Sequence, residues 1–200
     1  MSLQKKQAYH HGDLRTALIS AGRKIIETQG IDALNLRDVA SDTGVTQAAP
    51  YSHFKNKTDL TLAIAEQGYQ DLAMDMVDHA LGIRDSLARI EMLIERYITF
   101  ANENQTLFQL MNSPIAQNAF KNRPTLAMSA GKAYSLLSTA ISGHLKCKSD
   151  ERDPRAVTIS VYAMTHGLAE MLVAGTIQPR FIGASDTKGI VKKTLEMVQI

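Results

Sequence analysis

The sequence predicts an all-α fold of about nine helices. Apolar side chains recur at helical spacing along the whole chain, whereas period-two alternation with β-branched residues never persists beyond a few positions. Capping residues, glycines and prolines interrupt the apolar pattern at intervals that suit helices of ordinary length. With 200 residues and 44% hydrophobic content, the chain can bury a core as one ordinary domain or two small ones.

Two helices are predicted before residue 44. The first covers residues 13–29, with Asp13 as its cap and Gly30 as its stop signal. The second is short: Asn35 can cap it, acidic and apolar residues follow, and Gly44 ends it. Both carry an apolar stripe on one side, so each is expected to pack on a shared core.

The third predicted helix has a proline inside it. Thr46 is its expected N-cap, which puts Pro50 at the fourth helical position, where it removes only the bond to the N-cap carbonyl. The free-energy cost of Pro50 to the helix is therefore expected to fall well below the roughly 3 kcal/mol of a mid-helix proline. Pro50 and Phe54 share one face, which is expected to pack on the second helix. The opposite face is expected to be exposed and carries Gln47, Ala48, Tyr51 and Ser52.

Six further helices are predicted in the rest of the chain. A break is expected at Ser113 and Pro114, and a polar loop at residues 146–153. Asn56 can cap the first of the six, and Asp153 followed by Pro154 is a strong start signal for the fifth. The six helices cover residues 58–81, 85–104, 105–111, 124–145, 154–174 and 185–198.

Composition and motifs limit the class of protein. The net charge is +2, and its excess lies in the first 60 residues, which weakly favours a polyanionic partner there. Cys147 is the single cysteine, as expected in a reducing compartment. No signal peptide or apolar run of about 20 residues is recognised, so a cytoplasmic protein without a membrane partner is expected. Nucleophile-elbow, zinc-protease, P-loop and dinucleotide motifs are missing, so we expect no enzyme, cofactor or metal.

Residues 10–67 resemble the N-terminal domain of the tetracycline-repressor (TetR) family of bacterial transcription regulators. The resemblance rests on Val39-Ala40, Gly44-Val45, the YSHF of residues 51–54 and the KTDL of residues 57–60. The segments YHHGDLR and AAPYSHF resemble one subgroup whose C-terminal domain carries a W-H-G signature. Here residues 164–168 read MTHGL, with Thr165 in place of the tryptophan.

The resemblance implies a helix-turn-helix DNA-binding domain at residues 1–56 and a helical effector-binding and dimerisation domain at residues 57–200. Gln47 is suited to adenine and Ala48 to a thymine methyl group, while a lysine arm of Lys5 and Lys6 is expected to lie over the DNA. Three alternatives stay open: Tyr51 as a packing residue, His53 satisfied by backbone, and the two lysines as a solvated tail. The implied contacts with double-stranded DNA are Arg37, Thr46, Gln47, Ala48, Tyr51, Ser52, His53 and Lys57.

The resemblance also implies a homodimer and a ligand. The last two helices are expected to form the dimer interface, with a surplus apolar stripe of Tyr162, His166, Ala169, Val173 and Ile177. A small hydrophobic or aromatic effector is expected among Tyr97, Phe100, Phe108, Met111, Tyr134, Met164 and His166. The resulting hypothesis is a ligand-responsive repressor at a pseudo-palindromic operator. The alternative is a DNA-binding dimer of the same fold without an effector.

Overall fold

The computed structural model describes residues 11–198, which form nine α-helices and three short 3₁₀ helices without a β-strand in that range. The all-α prediction is confirmed; Lys5 and Lys6 lie outside the described residues. The α-helices are α1 (His11–Gln29), α2 (Leu36–Asp42), α3 (Lys57–Ala80), α4 (Ser86–Glu103), α5 (Gln105–Met111), α6 (Pro114–Ala119), α7 (Pro124–Lys148), α8 (Pro154–Val173) and α9 (Thr187–Met197). The 3₁₀ helices are Ile31–Ala33, Ala49–Ser52 and Pro179–Ile182.

Side-chain caps set the start of several helices, as local sequence predicts. At the start of α2, the side-chain Oδ1 of Asn35 accepts from the backbone amide of Asp38 at 2.9 Å. At the start of α3, Oδ1 of Asn56 accepts from the backbone amide of Asp59, also at 2.9 Å. Asp153 caps α8, with Pro154 at the first helical position. The helix α1 begins at His11, two residues before the predicted cap Asp13.

The segment of residues 46–54, here called the reading segment, is not the predicted α-helix. It contains a turn followed by the 3₁₀ helix Ala49–Ser52. The Ala49 amide donates to the Thr46 carbonyl at 2.9 Å, three residues back, and Thr46 caps no α-helix. Pro50 has no N–H to donate, and the amides around it, those of Ala49, Tyr51 and His53, each donate to the carbonyl three residues back, as in a 3₁₀ helix. Pro50 and Phe54 are buried, as expected.

The helix α3 joins two parts of the core. Its first turns pack on α1, and the rest packs against α4, α5 and α7. Contact with α1 is close: a Cβ atom added to Gly22 would lie 2.8 Å from Ile64 Cδ1. The helix α4 in turn packs against α7, α8 and α9, so α3 and α4 hold the whole arrangement together.

Two other boundaries differ from expectation. The predicted break at Ser113 and Pro114 begins the additional helix α6, with Ser113 as its N-cap and Pro114 at its first position. The helix α7 continues to Lys148, inside the segment expected to be a polar loop. Ser149 caps its C-terminus in the left-handed region, with φ of 53°. Ser113 and Pro114 thus start a helix instead of only interrupting one, and the polar residues 146–148 belong to the last turn of α7.

Candidate DNA-binding surface and effector core

The reading segment presents its polar side chains outward. Thr46, Gln47, Ala48 and Ser52 are exposed, and 55% of Tyr51 is exposed, which argues against a purely packing role for its ring. The Ser52 hydroxyl donates to the Ala49 carbonyl at 2.7 Å, which leaves its oxygen as an acceptor. Burial of Pro50 and Phe54 on the other side fixes this orientation without an α-helix.

Behind the reading segment lies a cleft of about 600 Å³, here called the basic cleft. Arg37 lines it from α2, Tyr51 from the reading segment, Lys55 from the residues that precede α3, and Lys57 from the first residue of α3. The cleft is also lined by Asp38, whose Oδ2 accepts from the side-chain amide of Asn35 at 2.6 Å, so the cations are in excess. Three cations and a phenol around one open cleft suit the phosphates of a nucleic acid backbone. The sequence predicted Arg37, Tyr51 and Lys57 but not Lys55, which the K-N-K spacing of residues 55–57 could have suggested.

Two predicted contacts have other neighbours within the molecule. The Lys57 ammonium donates to the Asp32 carbonyl at 2.9 Å, so reaching a phosphate requires it to leave that oxygen. His53 is half-buried, with its ring 6.4 Å from that of Phe54. The guanidinium of Arg15, which the sequence did not single out, lies 5.4 Å from the centre of the Phe54 ring and brings a further cation to this side of the molecule.

Arg23 on α1 connects the DNA-binding end of the molecule to the helical core. Its Nη1 is 2.6 Å from Asp71 Oδ2 on α3, its Nη2 is 2.8 Å from Asn104 Oδ1 at the end of α4, and its Nε is 2.6 Å from Glu27 Oε1. The partners on α3 and α4 lie 48 and 81 residues away along the chain, so sequence periodicity could not reveal them.

Arg123 makes a second connection. It pairs with Asp59, whose other oxygen accepts from the Lys55 amide at 3.0 Å. Because Arg123 immediately precedes α7, this pair ties the start of α3, next to the basic cleft, to the core. The two arginines therefore join α1 and the start of α3 directly to other parts of the helical core.

Four of the predicted effector residues meet in one aromatic cluster. The Tyr97 hydroxyl lies 2.9 Å from His166 Nδ1, and the Tyr97 ring packs edge-on against Phe108 with 5.9 Å between centroids. Tyr162 lies 6.0 Å from Tyr97 and 5.4 Å from Tyr134. The sequence assigned Tyr162 only to the dimer interface, although its i,i+4 spacing with His166 puts both side chains on one face of α8.

The other three predicted effector residues lie in the core outside this set of ring contacts. Phe100 and Met111 are buried and Met164 is half-buried. Met111 packs towards α3, where its carbonyl accepts from the Tyr69 hydroxyl at 2.6 Å. The structure thus brings together Tyr97, Phe108, Tyr134 and His166 but not all seven residues.

Burial controls the protonation of the cluster. It raises the pKa of Tyr97 well above the ordinary value, with a further contribution from Tyr162. Burial also raises the pKa of Tyr162, against a lowering contribution from its hydrogen bond with Tyr97. Both phenols therefore remain neutral near pH 7, so the cluster offers hydroxyl groups and aromatic faces rather than negative charge.

Four residues of the predicted interface stripe lie on α8 and are half-buried or buried within this chain, and their contact with a partner stays a prediction. Tyr162 and His166 pack against Tyr97 of α4, and Ala169 is fully buried. The outward face instead carries Ile159 and Met171, which are 54% and 44% exposed. By length and composition alone α8 could cross a membrane, and only 28% of its most apolar window is buried. The helix therefore leaves an apolar face uncovered within this chain.

Comparison with known proteins assigns both parts of the chain. Residues 18–64 match the family model for bacterial regulatory proteins of the tetR family, and residues 90–197 match the tetracyclin repressor-like C-terminal domain. The chain belongs to the TetR family. It is a DNA-binding transcription regulator, as its helix-turn-helix resemblance indicated, and members of this family are not enzymes. The second match includes the MTHGL segment of residues 164–168.

Individual proteins agree with this assignment. The TetR-family chain is 22% identical over 147 residues to the HTH-type transcriptional activator FasR of Mycolicibacterium smegmatis, covering 74% of this chain and 65% of that protein. A protein of unknown function from Rhodococcus sp. RHA1 superposes with a TM-score of 0.77 at 25% identity, covering 96% of both chains. FadR of Bacillus subtilis, solved with stearoyl-CoA, shares the fold at a TM-score of 0.69 and 13% identity, covering 91% and 96%.

Proposed function

We propose that this TetR-family regulator is a homodimeric repressor that binds a pseudo-palindromic operator and releases it when an effector binds. One observation carries the DNA-binding role: the exposed reading segment lies beside the basic cleft. The segment offers Gln47 and Ala48 to base edges, while Arg37 and Lys57 face the backbone. Thr46, Tyr51, Ser52 and His53 complete the proposed contacts.

We divide the chain at the start of α3, with DNA binding in residues 1–56 and effector binding and dimerisation in residues 57–200. A single reading segment contacts few base pairs, so specificity requires two copies on two half-sites. The uncovered apolar face of α8 supports a second copy of this chain, with α9 beside it, as the partner. This dimer, rather than a lipid contact, is the proposed cover for α8, which places the regulator in the cytoplasm with its DNA.

The proposed effector site is the aromatic cluster around Tyr97 and His166. Neutral phenols, a histidine and several rings suit a small hydrophobic or aromatic molecule with one polar group. FadR of Bacillus subtilis was solved in complex with stearoyl-CoA, a molecule with a long apolar part, which agrees with an apolar site on this fold.

Effector and DNA would oppose each other through the spacing of the two reading segments. An effector that separates the rings of the cluster moves α4 and α8, and the Arg23 and Arg123 connections carry this movement to α1 and α3. A ligand that binds tightly to the cluster yet leaves operator affinity unchanged would contradict this mechanism.

A second candidate function is a DNA-binding dimer of the same fold without an effector. It is favoured by the close packing of the cluster, where Phe108 is 0% exposed and Tyr97 only 3%. Effector screening by thermal shift separates the two candidates, because a ligand of the native state raises the unfolding temperature.

The proposed function is tested by fluorescence anisotropy with DNA from upstream of the regulator's own gene, a scrambled duplex and a salt series. We expect tight binding to the upstream DNA, far weaker binding to the scrambled duplex, and loss of affinity with salt. Equal, weak binding to both duplexes and to the products of a random-sequence selection would contradict an operator-specific role. A reporter gene behind the bound site then distinguishes a repressor from an activator such as FasR.

A further inference from the structure

A second, chemically different cleft lies at the other end of the core. It has a volume of about 420 Å³ and is formed by the end of α3, the beginning of α4 and the second half of α7. This volume is within the range of small-molecule sites. It shares no lining residue with the aromatic cluster, so it is distinct from the proposed effector site. We call it the distal cleft.

The walls of the distal cleft are largely apolar. Leu93 forms part of the wall and is buried, Leu136 is half-buried, and Val77 and Leu81 at the rim are exposed. Leu81 is 79% exposed, which is costly for a leucine that nothing covers. An apolar chain lying in the cleft would remove this surface from water.

The polar groups of the distal cleft are cationic. Arg84 and Arg89 line it, and none of the described side chains that line it is acidic. Within residues 11–198 neither arginine forms an ion pair, whereas Arg23, Arg96 and Arg123 each pair with a carboxylate. Both Nε and Nη2 of Arg89 donate to the Ile83 carbonyl, at 3.1 and 2.5 Å, which holds this guanidinium in place.

A hydrogen-bonded pair of side chains lies beside these cations. Ser86 lines the distal cleft, and its hydroxyl lies 2.8 Å from Nδ1 of the buried His144. The cleft thus combines an apolar wall, two arginines without acidic partners and a fixed hydroxyl. Guanidinium groups recognise carboxylates and phosphates through paired hydrogen bonds, so charge and shape together select the ligand.

We propose that the distal cleft binds an amphipathic molecule with an unbranched apolar chain and an anionic head group. The chain lies against Leu93 and Leu136, and the head group lies between Arg84 and Arg89. A free fatty acid and an acylated coenzyme A both have this chemistry. The proposal concerns ligand binding by the regulator itself and does not depend on an operator or on the aromatic cluster.

The structure offers a matched pair of variants. Gly143 lines the distal cleft and Gly131 lies on the same helix outside it, and a Cβ atom added to either would meet nothing within 4 Å. Gly143→Phe is therefore designed to put a ring into the cleft from a position where the added Cβ is tolerated, while Gly131→Phe adds the same ring elsewhere. Both variants are first checked for an unchanged thermal unfolding transition.

The test is isothermal titration calorimetry with dodecanoate, dodecanoyl-coenzyme A and dodecyltrimethylammonium, each below its micelle concentration. We expect at least one anion to bind and the cation not to bind. Arg84→Gln should weaken anion binding about tenfold, as loss of one charge-assisted hydrogen bond does. Gly143→Phe should abolish binding, and Gly131→Phe should preserve it. Which anion binds identifies the source of the head group.

Several results would overturn the proposal. Equal binding of the cation would show that the arginines do not select the ligand, and failure of both anions would show that the cleft has another occupant. Loss of dodecanoate binding in Tyr97→Phe would place the ligand in the aromatic cluster. If Gly143→Phe but not Gly131→Phe changes the sedimentation coefficient, the distal cleft is a contact between copies of the chain.

Discussion

Gln47 and Lys57 show how neighbouring residues on one surface can have different roles. Gln47 is exposed in the turn that precedes the 3₁₀ helix, where its amide offers both a donor and an acceptor. Lys57 lines the basic cleft and already donates to the Asp32 carbonyl. An amide can discriminate between bases, whereas an ammonium group neutralises any phosphate regardless of sequence.

We predict opposite effects for two alanine substitutions here. Gln47→Ala should reduce the preference for operator over scrambled DNA by about 1–3 kcal/mol, because a base contact is lost. Lys57→Ala should weaken binding to both duplexes similarly and lower the salt dependence, because a phosphate contact is lost. Fluorescence anisotropy over a salt series measures both effects.

Each variant serves as the control for the other. Equal losses on operator and scrambled DNA for Gln47→Ala would refute its role in base reading. A loss confined to the operator for Lys57→Ala would refute the phosphate contact and make Lys57 a determinant of specificity.

At the scale of elements, the contact between α3 and α5 depends on a glycine. A Cβ atom added to Gly68 would lie 2.8 Å from Met111 Sδ and 3.0 Å from Leu107 Cδ1. Both neighbours are buried, so neither side chain can move into solvent. The missing side chain thus sets the spacing of two helices next to Phe108 and the aromatic cluster.

We predict that Gly68→Ala destabilises the protein by about 1–3 kcal/mol through overpacking. Gly131→Ala is the matched control: it lies in the middle of α7, and an added Cβ meets nothing within 4 Å. Because alanine favours the helix over glycine, this variant should be stabilised by about 0.5–1 kcal/mol. Urea unfolding followed by circular dichroism measures both. Equal stability of the two variants would show that α3 and α5 move apart readily.

At the scale of the whole molecule, the α8 side of the described chain carries an uncovered apolar surface. The inner face of α8 completes the aromatic cluster, and the outer face leaves Ile159 and Met171 in solvent. Specific recognition of two half-sites needs two reading segments, and α8 provides an apolar surface that can join them. In the proposed dimer, α8 would therefore connect the core to DNA recognition.

We predict that Met171→Arg shifts the protein from dimer to monomer and lowers operator affinity at least tenfold, because a charge is buried without a partner. Met128→Arg is the control, since Met128 is 71% exposed on α7 and outside the proposed interface. Analytical ultracentrifugation over a concentration series gives the dimer dissociation constant. A Met171→Arg variant that remains dimeric, or a Met128→Arg variant that dissociates, would place the interface elsewhere.

The sequence by itself determined the helical class, most helix starts and the buried and exposed faces of the reading segment. These features are local: Asn35, Asn56 and Asp153 cap helices through amides two or three residues away. The family resemblance could also be recognised from the sequence, because its motifs are short and contiguous. The predicted DNA contacts Arg37, Tyr51 and Lys57 line one cleft because each is close to a helix start.

Tertiary structure decided what periodicity leaves open. An apolar stripe shows that a side of α8 is buried but not what covers it: Tyr162 and His166, predicted as interface residues, also pack against Tyr97 of α4. Local rules allowed the proline near the start of an α-helix, yet the segment forms a turn and a 3₁₀ helix in the folded chain. Arg23 and the two arginines of the distal cleft acquire their roles only from residues distant in sequence, which folding brings within contact distance.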